Sequence, residues 1–252
     1  MSQLRSLDLM GGRCKFGVIV PSTNTIVEPE FHQMSPTGVT CHSARFLIPN
    51  MALNSDADFE TLVGHIKANL DDAIDGVTPA AVDHVIVGIS AESFWDGIDG
   101  AQAVQERLEA RAGCAVTLGS AAARTALEAV GAKRIAILTP YWPVADARVK
   151  DYFEQCGFEV VRQIGLKANS PVNIAEQSEV ILRNALRELN GPDVDAIIQC
   201  GTNLYMARLA AEAERWLGKP VIAINTALFW RALRDMGIDD KIEGFGCLLA
   251  DY

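Results

Sequence analysis

KFGVIVP, residues 15–21, and KRIAILTP, residues 133–140, are the two stretches whose reading decides the fold. Each runs from a basic residue through an apolar stretch to a proline, and each is followed by a polar turn and a helix-patterned segment. A short apolar run bounded by turn residues reads as a buried strand. The same run, turn and helix met twice reads as a duplicated unit. Two further pairs occur in the same order: HVIVGIS (84–90) with DAIIQC (195–200), and AVTLGSAAARTALEAVG (115–131) with PVIAINTALFWRALRDMG (220–237). EVVRQIG (159–165) is another strand, and NIAEQSEVILRNALREL (173–189) repeats its apolar positions at helical spacing. Strands alternating with segments long enough for helices predict βαβ units and parallel sheets. The expected architecture is therefore α/β, with two pseudo-twofold-related lobes, each a mainly parallel sheet flanked by helices. The first lobe is expected over 13–118 with the C-terminal helix 225–252 added to it, and the second over 119–224.

The chain has 252 residues, 49% hydrophobic and 21% charged, enough to bury a substantial core. Its 22 Lys and Arg against 32 Asp and Glu leave a net charge of −10, which argues against a nucleic-acid partner or an anionic membrane. An anionic substrate stays open, because backbone N–H groups and neutral side chains can hold a carboxylate whatever the net charge. MSQLRSLDLMGGRCK (1–15) lacks the apolar centre of a signal peptide, and no apolar run is long enough to span a bilayer, so a cytoplasmic location is expected. The six cysteines form no C-x-x-C pair and the four histidines no i, i+4 pair, so no metal site is expected. No P-loop, dinucleotide fingerprint or G-x-S-x-G elbow is present, and the expected chemistry uses no cofactor.

Ligands of open parallel sheets bind beyond the carboxyl ends of the strands, so the strand ends of two facing lobes should converge on one cleft. Ser22, Thr23 and Asn24 are expected to face Tyr141, and Ser90 to Ser93 to face Cys200 to Asn203. In IIQCGTNLY (197–205), Gly201, Thr202 and Asn203 are expected to open a helix whose free N–H groups favour an anion or a thiolate. A thiol there can carry a proton. Each residue also has a plain structural reading. Cys200 can be a small buried hydrophobe, PSTNT (21–25) a turn with a Ser or Thr cap, Tyr141 a packed aromatic and Glu92 a solvated helix cap.

These residues resemble the aspartate/glutamate racemase superfamily, in its branch of maleate cis-trans isomerases and arylmalonate decarboxylases. GVIVPSTNT (17–25), GAKRIAILTPY (131–141) and EGFGCLLADY (243–252) carry the likeness, which extends over nearly the whole chain. The resemblance implies Asn24 as a carboxylate ligand, Tyr141 as a hydroxyl donor, Cys200 as the cysteine that handles a proton, and Asn169 as a further polar contact. It also implies a small carboxylate or dicarboxylate substrate and allows a homo-oligomer. One departure matters: the isomerases carry a cysteine at the first-lobe strand end, and VGISAES (87–93) has none, leaving Ser90 as its counterpart. A serine without a base is a poor nucleophile. On that ground decarboxylation of a substituted malonate is the first expectation, with the intermediate held by Ser90, Ser93, Tyr141 and the N–H of Gly201. Maleate-type isomerisation and a weak carboxylate-binding protein are the alternatives.

Overall fold

The computed structural model describes residues 8–252, so the opening seven residues of the segment read for a signal peptide lie outside it. Among the described residues there are eight strands and nine α-helices in two sheets of the same topology. The first sheet has the order β2 (Val39–Phe46), β1 (Cys14–Pro21), β3 (His84–Val87), β4 (Val116–Thr117). The second repeats it as β6 (Glu159–Gly165), β5 (Arg134–Thr139), β7 (Ala196–Gln199), β8 (Val221–Ala223). Every pairing in both sheets is parallel. The two central strands of each sheet are mainly apolar and buried apart from half-buried Lys15 and Arg134 near their starts, as expected where helices cover both faces.

β2 is absent from the sequence expectation. Its residues VTCHSARF give an edge strand that is buried only at its two ends, so the apolar signal of a central strand is missing. It pairs with β1 along its full length, from Cys14 opposite Val39 to Pro21 opposite Phe46.

The connecting helices are α1 (Val27–Met34), α2 (Asp56–Val77) and α3 (Gly97–Ala112) in the first half, and α5 (Pro143–Gln155), α6 (Glu179–Leu189) and α7 (Ala207–Leu217) in the second. α2 starts at Ser55, whose side chain accepts from the Asp58 N–H, and buries Phe59, Leu62, Val63, Ile66 and Leu70. α4 (Gly119–Ala129) and α8 (Ile224–Asp235) follow the last strand of each sheet and pack against each other. They also cross over: α4 touches β7 and β8, while α8 touches β3, β4 and α1. Phe229 of α8 meets Phe16 of β1 at 5.7 Å and Phe31 of α1 at 5.1 Å between ring centroids. A short α9 (Cys247–Asp251) closes the chain against α8. No helix among the described residues is long and apolar enough to cross a membrane.

Candidate active site

The carboxyl ends of β1, β3, β5 and β7 converge on a cavity lined by residues of both lobes. Its polar end is formed by Asn24, Ser90, Tyr141, Gly201, Thr202 and Asn203, and its apolar wall by Ile48, Phe59, Leu62, Ile66, Ile89 and Ile174. The wall comes chiefly from α2 and from the segment 47–55 that leads into it. That segment is tied to the other lobe: Leu53 N–H donates to the Asn169 carbonyl at 2.7 Å, and Val172 N–H to Asn50 Oδ1 at 3.1 Å.

Two side-chain pairs bridge the lobes at the polar end. The hydroxyls of Ser90 and Tyr141 share a hydrogen bond of 2.8 Å. Asn24 Nδ2 donates to Thr202 Oγ1 at 3.3 Å, and Thr202 Oγ1 donates onward to the Gly88 carbonyl at 2.9 Å. The cross-lobe partners therefore differ from the sequence expectation, which had Asn24 opposite Tyr141 and Ser90 opposite the 200–203 segment. Asn203 completes the bridge. Its Oδ1 accepts from the Thr25 N–H at 2.9 Å, and its Nδ2 donates to the carbonyls of Thr23 and Pro171.

Cys200 follows β7, with its N–H held by the Leu138 carbonyl at 2.8 Å and its side chain fully buried beside cavity-lining Gly201. Burial pushes its thiol far above the ordinary range, and nearby Asp146 adds to the shift. Tyr141 is pushed up by the same burial, with the Ser90 hydrogen bond opposing it. Both groups stand protonated at neutral pH. Gly201 has φ +119°, and a Cβ there would lie 2.4 Å from Pro140 Cδ, so only glycine lets the two strand ends approach this closely.

Several expected roles are corrected by the geometry. The residues after Cys200 do not open a helix. α7 begins at Ala207, and 201–206 form a turn, so no helix terminus favours a Cys200 thiolate. Ser22 is exposed and spends its hydroxyl on Ile48, donating to its carbonyl at 3.0 Å and accepting its N–H at 3.1 Å. The α1 terminus has no Ser or Thr cap. Asn24 Oδ1 instead accepts the Ile26 and Val27 N–H groups, both at 3.0 Å. Ser93 lies behind Ser90, donating to its carbonyl at 2.9 Å and accepting from the Ser120 N–H at 3.1 Å. Asn169 is exposed, and its contribution is the backbone carbonyl that holds Leu53. Glu92 is 5% exposed and not a solvated cap, and burial raises its carboxyl above the usual range.

Sequence reasoning missed Glu30 and Asn225. Glu30 Oε1 accepts from the N–H groups of Met206 at 3.2 Å and Ala207 at 2.9 Å, so it caps α7 from the opposite lobe. Asn225 Nδ2 donates to Glu30 Oε2 at 2.7 Å and to the Thr202 carbonyl at 2.9 Å. The available signal was the position of Glu30 on the buried face of α1, in register with Val27, Phe31 and Met34.

The duplicated α/β fold, which here sets a buried thiol and two neutral donor pairs between its lobes, is that of isomerases and decarboxylases. The arylmalonate decarboxylase family model matches residues 16–249, and the chain belongs to that family, whose members include maleate isomerases and arylmalonate decarboxylases. Maleate isomerase of Alcaligenes faecalis is 26% identical over 249 residues, 94% of this chain and 96% of the relative. Arylmalonate decarboxylase of Bordetella bronchiseptica is 26% identical over 245 residues, 92% and 95% of the two chains. A cysteine-to-serine variant of the Nocardia farcinica maleate cis-trans isomerase, solved with a covalently bound succinylcysteine intermediate, superposes with a TM-score of 0.86 at 22% identity, covering 95% of this chain and 99% of that one.

Proposed function

We propose that the protein acts on a small dicarboxylate, holding its carboxylates with the Ser90–Tyr141 and Asn24–Thr202 pairs and moving a proton with Cys200. One observation carries this reading: two neutral donor pairs, each drawn from both lobes, line a single cavity whose wall at Gly201 adjoins the buried, protonated thiol of Cys200. Neutral donors suit a dianion that must also leave, and they need no counter-charge.

Cis-trans isomerisation of a maleate-like acid is the first reading, supported by relatives from four organisms that are maleate isomerases. This reverses the order expected from the sequence. With Ser90 where the isomerases carry a cysteine, Cys200 has to supply both sulfur and proton. The sulfur bonds to one alkene carbon while the thiol proton goes to the other, leaving a single bond free to turn. Breaking the carbon–sulfur bond and returning that proton restores the thiol and releases the trans acid.

A second reading is favoured by a specific observation, the apolar wall of Phe59, Leu62 and Ile66 in the same cavity as Ser90 and Tyr141. A substituted malonate would place its substituent there. Loss of CO2 would leave the bond's electron pair as an enediolate held by Ser90 and Tyr141, Cys200 would protonate the carbon, and water would restore the thiol. Proton NMR in D2O decides between them. Fumarate appearing from maleate supports the first reading, and a monodeuterated acid from an alkyl- or arylmalonate supports the second. Inertness towards both substrate classes, with no ligand-induced shift at Tyr141, would sink the proposal.

A further inference from the structure

We infer that Glu30 is a positioning residue that, through Asn225, holds the Thr202 carbonyl and so sets the turn carrying the Asn24–Thr202 pair beside Cys200. The catalytic half of this inference rests on the proposed function; the structural coupling stands apart from it.

Asn225 is the hinge of the arrangement. Its amino group serves two acceptors, Glu30 Oε2 and the Thr202 carbonyl, while its Oδ1 is buried without a partner. Two acceptors on one side fix the amide orientation. The other oxygen of Glu30 takes the Met206 and Ala207 N–H groups, so a proton arriving on the carboxyl has to occupy Oε2, facing Asn225 Nδ2. Two donors then oppose each other. The relief is an amide flip that presents the unpartnered Oδ1 to the new proton, and the same flip turns oxygen towards the Thr202 carbonyl. The carboxylate form thus secures the turn and the protonated form releases it.

Burial holds the Glu30 carboxyl at about 7, so both forms are accessible near neutrality. Of the charged groups on the elements around it, Arg208 of α7 attracts the carboxylate and donates to Gln33 of α1. Arg45 of β2 is held by Glu28, and Arg231 of α8 by Asp235.

The test is NMR of the intact protein, following the Glu30 carboxyl carbon and the Thr202 methyl group from pH 5 to 9, alongside turnover of maleate and of malonates. In the wild type both signals should titrate together near neutral pH, and the Thr202 shift should be absent in Glu30→Gln. Turnover should lose an acid limb at the same midpoint. At pH 8, Glu30→Gln should lower kcat by about tenfold to a hundredfold with KM changed little, since Glu30 touches no substrate. Glu30→Asp, which keeps a carboxylate, should recover part of the loss. A Thr202 signal indifferent to Glu30 titration in the wild type overturns the inference even if the variants fail to fold, and so does an unchanged kcat in a folded Glu30→Gln. Co-titration without turnover of any dicarboxylate would establish the coupling and sink the proposed function instead.

Discussion

A thiol held protonated by burial can give a proton but does not wait as an anion, and this decides what each residue of the cavity can do. Cys200→Ala removes the proton and is expected to lower turnover by about a thousandfold, within the range of a lost general acid. Cys200→Ser keeps a hydroxyl too weakly acidic to replace it and should do little better; quenched-flow or NMR turnover assays check both. Tyr141→Phe leaves the ring against Phe59, 5.3 Å between centroids, and removes only the hydroxyl shared with Ser90. It should lower kcat/KM by about a hundredfold while leaving the melting temperature nearly unchanged, as loss of one preorganised donor does. That Asn24, Ser90 and Tyr141 come together at the cavity, with Cys200 buried next to it, was legible in the sequence because each ends or follows an apolar strand, and strand ends meet at the cleft. Ser22, Ser93 and Asn169 occupy equally good positions in the sequence, but hydroxyl direction and loop rotation depend on partners such as Ile48 and Ser120 that are distant along the chain.

Elements reach this site under two constraints that a composition cannot reveal. The first is close approach: β5 and β7 bring Pro140 against Gly201, so Gly201→Ala both forces a side chain into φ +119° and drives it into the proline. Destabilisation of about 2–4 kcal/mol is expected by urea titration, from backbone strain and overpacking together. The second is a buried charge at the start of α7. Glu30 has a folded value of about 7 against an ordinary 4.5, so the folded state binds the proton more tightly than the unfolded one. Stability from this group is therefore fully present below about 4.5, declines as pH rises towards 7, and is level above it. Between pH 5 and 8 the wild type should lose up to about 3 kcal/mol relative to Glu30→Gln, which has no such titration. Parallel denaturant curves for the two proteins measure it, and a pH-independent difference would refute the assignment. A glutamate that weakens the fold where it is ionised has its rationale in the turn it holds. The α7 start itself was misread, because a glycine and two polar residues after a strand resemble a cap, whereas the N–H groups at this terminus are satisfied by a carboxylate 177 residues away in sequence.

At the scale of the molecule, the duplication is readable because each lobe repeats strand, turn and helix in the same order, while the joining of the lobes is carried by packing. The main apolar core runs without interruption from Phe16, Phe31 and Val85 of the first sheet's side to Ile135, Ile137 and Ile198 of the second. α8 follows the last strand of the second sheet yet places Phe229 between Phe16 and Phe31. A cavity assembled from both lobes needs this coupling, since an independent motion of either would separate Ser90 from Tyr141 and Asn24 from Thr202. Two lobes joined through one main core should unfold together. Phe229→Ala is expected to cost about 3–5 kcal/mol, the range for a fully buried phenylalanine. Because the lost ring belongs to the second half by sequence and to the first by contact, scanning calorimetry should show one transition moved downward. Two resolved transitions, with the 134–223 region melting at its original temperature, would mean that the lobes fold separately and that the cavity between them is held by the cross-lobe hydrogen bonds alone.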